Sequence, residues 1–157
     1  MSGLESLYQE LILDHAKRKV GFGLTGDEAG SATSYQRNPI CGDEITLQVR
    51  MNPDDTVRDV TWDGAGCSIS QASASMLAEL VRLDPDGVPR TERMPRAEAS
   101  ALIDGFREAL RSRGTVDLDE ETFGDAAALS GVSKYTARVK CAMLAWVAFE
   151  DALARAS

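Results

Sequence analysis

The residues in this sequence best suited to chemistry are its three cysteines, Cys41, Cys67 and Cys141. Cys41 lies in the turn NPICGDEI, two positions before Asp43, and Cys67 lies in the glycine-rich stretch GAGCSIS. Cys141 lies in RVKCAML, within an apolar stretch that favours a buried helix. Each could be a buried apolar residue, since free cysteine is among the residue types most often buried. This interpretation suits Cys141 best and Cys41 least, because a proline–glycine turn is not a typical core position.

Taken together, the cysteines and Asp43 could form one metal site. Three thiolates and a carboxylate supply the four ligands of a tetrahedral zinc ion, and thiolates select zinc, copper(I) or iron–sulfur clusters. In an extended turn, the side chains of Cys41 and Asp43 leave the backbone on the same side. Cys67 precedes a predicted helix, whose unpaired N–H groups favour a thiolate. The spacings form no local motif, so shared metal binding and separate burial both stay open.

Composition narrows the classes of function. The chain has 157 residues and a formal net charge of −8, which argues against binding nucleic acid or an anionic membrane, because both require a basic surface. No apolar stretch approaches the roughly 20 residues of a membrane helix, and the N-terminus lacks the layout of a signal peptide. We therefore expect a cytoplasmic protein with reduced cysteines, and the odd number of cysteines argues against a disulfide framework.

Hydrophobic periodicity predicts the elements that must position these residues. An amphipathic helix is expected over residues 4–17. Its apolar side includes His15, the single histidine, for which packing or a local hydrogen bond is the expected role rather than ligation. Strict alternation predicts a strand over residues 44–51, and residues 56–64 supply a second strand that completes a hairpin, with a short strand near SATSYQR in the loop before it. Further helices are predicted over these stretches: residues 69–83, 95–113, 124–130 and 134–154.

This order of elements predicts an α+β fold. We expect one domain over residues 1–157, in which helices pack on one face of a small antiparallel sheet of about three strands. The acidic stretch DLDEE, residues 117–121, is expected to be a solvated loop. The last helix, with CAMLAWVAF at its middle, is apolar on nearly every side and is therefore predicted to lie in the core.

Several stretches carry a resemblance to a known family. NPICGDEITLQV, DGAGCSISQASASMLAELV and LSGVSKYTARVKCAMLAW resemble the SufU branch of the IscU-like proteins, and LYQELILDHAKRKVGFG resembles that family's opening helix and loop. The long segment between Cys67 and Cys141 also resembles this branch rather than the shorter classical IscU scaffolds. The resemblance implies an IscU-like fold with the cysteines converging at one end of the sheet.

The resemblance also implies roles for individual residues. Cys41, Asp43, Cys67 and Cys141 match the family's zinc ligands, and Cys41 matches its persulfide acceptor. The implied function is that of a zinc-dependent sulfurtransferase, which accepts sulfur from a SufS-type cysteine desulfurase, activates that enzyme, and works with other Suf proteins in iron–sulfur cluster assembly. The alternatives are a scaffold that holds a transient iron–sulfur cluster on the same residues and an inert zinc protein that mediates interactions.

Two residues near Cys141 bear on this choice. Lys140 stands where classical IscU scaffolds carry a histidine, and because an ammonium group is a poor ligand, the sulfurtransferase role is favoured over cluster building. Arg138 lies three residues before Cys141 and on a neighbouring face of the same predicted helix. It is either a surface cation or a charge that steadies Asp43 or an incoming persulfide.

Overall fold

The computed structural model describes residues 3–26, 29–40, 42–84 and 86–156, with side chains from residue 6 onward. Cys41 lies outside the described residues. The helices are α1 Gly3–Arg18, α2 Ser68–Arg82, α3 Arg96–Arg111, α4 Glu120–Phe123 and α5 Thr136–Arg155, with a 3₁₀ segment at Gly124–Lys134. The strands are β1 Ser31–Arg37, β2 Glu44–Met51, β3 Thr56–Ala65 and β4 Met94–Pro95.

The strands form an antiparallel sheet in which each strand pairs with its sequence neighbour, in the order β1-β2-β3-β4. Leu47 of β2 lies opposite Trp62 of β3, and Val49 lies opposite Val60, so these buried side chains share one face. The predicted α+β fold is confirmed, but within the described residues the sheet has four strands rather than about three. The missed strand, β4, is two residues long and therefore too short to show an alternating pattern.

Helices α2 and α5 pack against the sheet, α2 on β3 and α5 on β1 and β2. The middle of α5 is buried on nearly all sides, as its apolar sequence predicts. There the indole ring of Trp146 stacks on Phe106 of α3, with ring centroids 4.1 Å apart. Helix α1 packs on α2 and on the 3₁₀ segment. Both α2 and α5 therefore connect the sheet to the rest of the core.

The other predicted elements agree with the structure apart from their ends. The short strand expected near SATSYQR forms β1, and the helical piece expected over residues 124–130 is the 3₁₀ segment. The acidic stretch at residues 117–121 is not loop throughout, because the Asp119 carboxylate accepts from Glu121 N and so caps α4. Within the described part of the chain, no helix is long and apolar enough to cross a membrane. The single domain and the cytoplasmic location stay predictions.

Candidate metal centre

The end of the sheet where β1 turns into β2 is also the end where β3 leads into α2. Arg37, Glu44 and Ala65 lie side by side on β1, β2 and β3 at this end. The β1–β2 turn, described at residues 38–40 and 42–43, and the β3–α2 junction, residues 66–67, therefore begin next to each other. Helix α5 packs along β1 and β2, and its second turn carries Cys141 to the same place.

Backbone hydrogen bonds close the β1–β2 turn around Asp43. Asn38 N donates to the Asp43 carbonyl, and Gly42 N donates to the Asn38 carbonyl, each at 2.8 Å. The Asn38 side chain accepts from Ile40 N at 3.1 Å. Gly42 has a φ of 75°, a left-handed conformation that glycine adopts without strain. The turn thus fixes Asp43 beside the β3–α2 junction and leaves the Ile40 side chain 79% exposed.

Asp43 contacts Cys67 through both of its carboxylate oxygens. Oδ1 accepts from the Cys67 backbone N at 3.2 Å, and Oδ2 accepts from the Cys67 thiol at 3.3 Å. Asp43 is buried, at 3% exposure, whereas Cys67 is exposed. Gly66 permits this approach, because a Cβ there would lie 2.6 Å from Asp43 Cγ and 2.7 Å from Ser70 Oγ. A larger residue at position 66 would push the carboxylate or the hydroxyl away.

Asp43, Cys67 and Cys141 lie close enough together to share one ion. Each offers one ligand atom, and these three atoms all lie within 4.8 Å of one another. With zinc–ligand bonds of about 2.0–2.3 Å, two ligands of a tetrahedral ion stand roughly 3.3–3.8 Å apart, so modest side-chain movement would suffice. Cys141 is 7% exposed and is fixed to the buried helix. Two thiols and a carboxylate fit zinc by donor chemistry and by distance.

Three of the four predicted ligands are therefore brought together, and their metal role stays a prediction. The fourth, Cys41, is also the predicted acceptor and lies outside the described residues, between Ile40 and Gly42 of the same turn. Arg138 is exposed at the start of α5, where its guanidinium group lies 5.3 Å from the centre of the Tyr135 ring. This contact is typical of a surface cation. A role of Arg138 in steadying Asp43 or a persulfide stays a prediction.

A second cluster of ligand-type side chains surrounds His15, and the sequence did not reveal it. The buried imidazole lies 2.8 Å from Ser75 Oγ through Nδ1 and 2.9 Å from Asp125 Oδ2 through Nε2. Glu79 Oε1 lies 3.8 Å from the same Nε2. Arg18 already supplies a cation here, 3.3 Å from Glu79 and 3.1 Å from the imidazole. These contacts agree with the hydrogen-bonding role expected for His15.

The pKa values of the two carboxyl groups in this cluster are shifted in opposite directions. The hydrogen bond with His15 holds the pKa of Asp125 below its ordinary value. Burial raises the pKa of Glu79 above its ordinary value, against the lowering effect of His15. Because the ligand atoms belong to α1, α2 and the 3₁₀ segment, the cluster joins these three elements.

Comparisons with known proteins match this chain over nearly its whole length. A family model described as the NifU-like N terminal domain matches residues 7–142, a range that contains Asp43, Cys67 and Cys141. The chain is 34% identical over 154 residues to the zinc-dependent sulfurtransferase SufU of Bacillus subtilis (strain 168), covering 98% of this chain and 94% of that protein. It is 35% identical over 158 residues to the iron-sulfur cluster assembly scaffold protein IscU of Streptococcus pyogenes serotype M1, covering 100% and 89%.

Solved structures share the fold. The crystal structure of a hypothetical protein superimposes with a TM-score of 0.77 at 34% sequence identity, over 96% of this chain and 99% of that chain. A protein from Fervidobacterium Islandicum AW-1, described as an iron-sulfur cluster assembly scaffold for the SUF system, gives a TM-score of 0.71 at 27% identity, over 96% and 99%. These similarities confirm the expected IscU/SufU-like fold.

Proposed function

Because this chain belongs to the NifU-like N-terminal domain family, we propose that it works in iron–sulfur cluster assembly as a zinc-dependent sulfurtransferase. The family alone does not separate a sulfur carrier from a cluster scaffold, since relatives of both descriptions match along nearly the whole chain. The observation that supports a zinc-dependent role is the proximity of Asp43, Cys67 and Cys141, whose ligand atoms lie within 4.8 Å of one another.

In this proposal the zinc ligands are Cys41, Asp43, Cys67 and Cys141. When bound, zinc would keep these thiols deprotonated at neutral pH. Asp43 suits the oxygen position, because it is buried and its other oxygen is held by the Cys67 N–H. Carboxylate oxygen is a harder ligand than thiolate sulfur, so Asp43 would be the weaker ligand for zinc, whereas Cys41 is the ligand that has to leave zinc in order to react.

Cys41 is the proposed persulfide acceptor, supported by its place in the turn. Ile40 and Gly42 on either side of it are exposed, whereas Cys141 is fixed to a buried helix. The Cys41 thiolate attacks the terminal sulfur of a persulfide on a partner's cysteine. A sulfur–sulfur bond forms at Cys41, the bond between the two sulfurs of the donor breaks, and the donor cysteine leaves as a thiolate. Because the exchange is balanced, it requires no oxidant or reductant.

The proposed sulfur donor is a SufS-type cysteine desulfurase in the cytoplasm, with other Suf assembly proteins as later partners. Arg138 and Lys140 lie on the exposed start of α5, just before Cys141. In a chain of net charge −8, these cations would provide local positive charge for an anionic persulfide near the centre. Arg138 would therefore support the proposed sulfur transfer by its positive charge.

A cluster scaffold is the second candidate function, favoured by the 35% identity to the Streptococcus pyogenes protein of that description. It would use the same cysteines to hold an iron–sulfur cluster as cargo. Lys140 weighs against it, because its ammonium group cannot act as the imidazole ligand of the classical scaffolds.

The deciding experiment measures the turnover of a cysteine desulfurase with and without the zinc-loaded protein, in the absence of added reductant. We expect faster turnover and a persulfide on Cys41, mapped by mass spectrometry. Cys41→Ser should abolish the label, whereas Asp43→Ala leaves every thiol in place and should chiefly weaken zinc retention. A label on Cys67 or Cys141 with none on Cys41 would show that the acceptor is wrongly assigned. Visible absorbance after anaerobic purification, without faster turnover, would favour the scaffold.

A further inference from the structure

We propose that Ser73, a buried residue of α2, is a positioning residue of the metal centre. Its hydroxyl group sets the register between α2 and α5, and through that register it sets the separation of Cys67 and Cys141. This inference rests on the zinc site of the proposed function, and it concerns a residue whose hydroxyl group bonds to α5 rather than to a proposed ligand.

The hydroxyl group bonds to α5 at two points. Ser73 is fully buried and lies within two turns of Cys67, the residue that precedes α2. Its Oγ donates to the Ala142 carbonyl at 2.6 Å and accepts from Trp146 Nε1 at 3.1 Å. Ala142 follows Cys141 directly, and Trp146 lies about one turn further along α5. A single side chain thus joins α2 to the segment that carries the third thiol.

Neither helix propensity nor core packing explains a serine at this position. Serine is unfavourable in a helix interior because it competes for backbone hydrogen bonds, and a buried hydroxyl group costs free energy unless it is bonded. The neighbouring Ala72 and Ala74 are fully buried as alanines. Pairing the Trp146 indole explains only the accepted bond. The donated bond goes to the Ala142 carbonyl, which lies within α5 and so does not need a partner from another helix. What the hydroxyl group adds is therefore a directional constraint between α2 and α5.

The register of these helices matters because it sets the distance between Cys67 and Cys141. Cys67 stands at the start of α2 and Cys141 lies in the second turn of α5, and these helices pack against each other. A slip by one residue moves a helix by about 1.5 Å, whereas metal–ligand distances tolerate about 0.2 Å. Loss of the Ser73 bonds would therefore loosen the zinc site more than it would disturb the fold.

The test compares Ser73→Ala with Ser75→Ala. Ser75 lies on the same helix and is equally buried, and its hydroxyl also makes two contacts, with His15 Nδ1 at 2.8 Å and Val20 N at 2.9 Å. Those contacts lead to α1 and the loop after it rather than to α5. We expect Ser73→Ala to weaken zinc binding about tenfold in competition with a chromophoric chelator, and Ser75→Ala to change it less than about twofold. Both variants should lower the melting temperature of the zinc-free protein.

Further variants keep the test decisive. Trp146→Phe removes the indole donor and keeps the bond to the Ala142 carbonyl, so zinc affinity should stay near wild type.

If Ser73→Ala does not fold, Ser73→Thr and Ser73→Val make the same comparison, since these side chains are alike in shape and only threonine keeps the hydroxyl. The visible spectrum of the cobalt-substituted protein should change for Ser73→Val and not for Ser73→Thr. Equal loss of zinc affinity in Ser73→Ala and Ser75→Ala would overturn the inference.

A separate readout distinguishes this inference from the function on which it rests. A wild-type chain that binds no zinc would overturn the proposed function. The Ser73 inference would then be tested in the Cys41→Ser background with a trivalent arsenical, which requires two adjacent thiols. Ser73→Ala should weaken arsenical capture by Cys67 and Cys141, while Ser75→Ala should not. Equal capture by both variants would count against Ser73 as a positioning residue.

Discussion

At Gly66, the absence of a side chain lets the Asp43 carboxylate approach the Cys67 thiol and backbone N–H. The added Cβ would come closer to Asp43 Cγ and to Ser70 Oγ than real Cβ atoms come to their neighbours. Ser70 itself donates to the Cys67 carbonyl at 3.0 Å, so it cannot move away without losing a hydrogen bond. The position of the Asp43 carboxylate, the proposed oxygen ligand, is therefore set by a glycine, which has no side chain to bind metal.

Replacing this glycine gives the first prediction. Gly66→Ala should weaken zinc binding about tenfold, because the displaced Asp43 carboxylate can no longer lie beside Cys67. Titration of the zinc-free protein against a competing chelator measures the change. Gly131→Ala is the matched control, since nothing lies within 4 Å of a Cβ built there. Equal zinc affinity in the two variants would show that Asp43 is not held as described.

The sequence predicts which residues come together at the candidate metal centre but does not predict the residues that hold them in place. Rare residue types and a recognisable family pattern are enough to select Asp43, Cys67 and Cys141 from the sequence alone. Gly66 and Ser73 carry no such signal, because their roles depend on side chains far away in the sequence. The cluster at His15 is hidden for the same reason, since Ser75 and Asp125 are brought to the imidazole only by tertiary packing.

At the scale of elements, α2 connects the candidate metal centre to the N-terminal helix. Its start adjoins Cys67, Ser73 bonds to α5, and Ser75 and Glu79 lie against His15 of α1. Periodicity predicts this helix from its apolar stripe but assigns no role to its serines. Hydrophobic periodicity alone cannot distinguish a buried serine that bonds to another helix from a solvent-exposed serine.

The second prediction concerns the attachment of α1. His15→Ala should lower the free energy of unfolding by about 2–4 kcal/mol, because it opens a cavity and leaves Ser75 and Asp125 without their imidazole partner. Zinc affinity should change less than about twofold, since the proposed ligands Asp43, Cys67 and Cys141 form a group separate from the His15 cluster. Denaturant unfolding and chelator competition measure the two quantities. Leu13→Ala, at an exposed position of the same helix, is the control and should have little effect on either.

At the scale of the whole molecule, stability should depend on pH through the carboxyl groups around His15. Asp125 has a folded pKa below its ordinary 3.8, so it stabilises the fold above that pH and loses this effect as the pH falls through its folded pKa. Glu79 has a folded pKa above its ordinary 4.5, so its contribution is fully present below that pH and is lost as the pH rises through its folded pKa. The two groups therefore act in opposite directions.

These signs give the third prediction. Asp125→Asn should lower the melting temperature at about pH 7, and this loss should shrink as the pH falls below 3.8 and through the folded pKa of Asp125. Glu79→Gln should raise the melting temperature at about pH 7, because it removes an ionised group from a partly buried position, and should give no gain at about pH 4. Thermal unfolding over a series of buffers tests both. A Glu79→Gln variant that is less stable at neutral pH would contradict the sign assigned to Glu79.

The fourth prediction concerns removal of the metal. Since the ligand atoms come from three separate parts of the chain, zinc should bind the folded state and stabilise it by mass action. Chelation should therefore lower the melting temperature, while the far-ultraviolet circular dichroism at room temperature persists, because the apolar core cluster does not include Asp43, Cys67 or Cys141. An unchanged melting curve after verified loss of zinc would argue against a shared site.

The order of the strands also has a consequence for biosynthesis. Since each strand of the sheet pairs with its neighbour in the chain, β1, β2 and β3 can pair while the protein is still being made. Cys141 belongs to α5, which follows all four strands in the chain, so it is synthesised after Asp43 and Cys67. A nascent chain that has not yet reached α5 therefore offers incomplete coordination, even when its strands can already pair. Proteins truncated before α5 should then remain metal-free, which zinc analysis of the purified variants would measure.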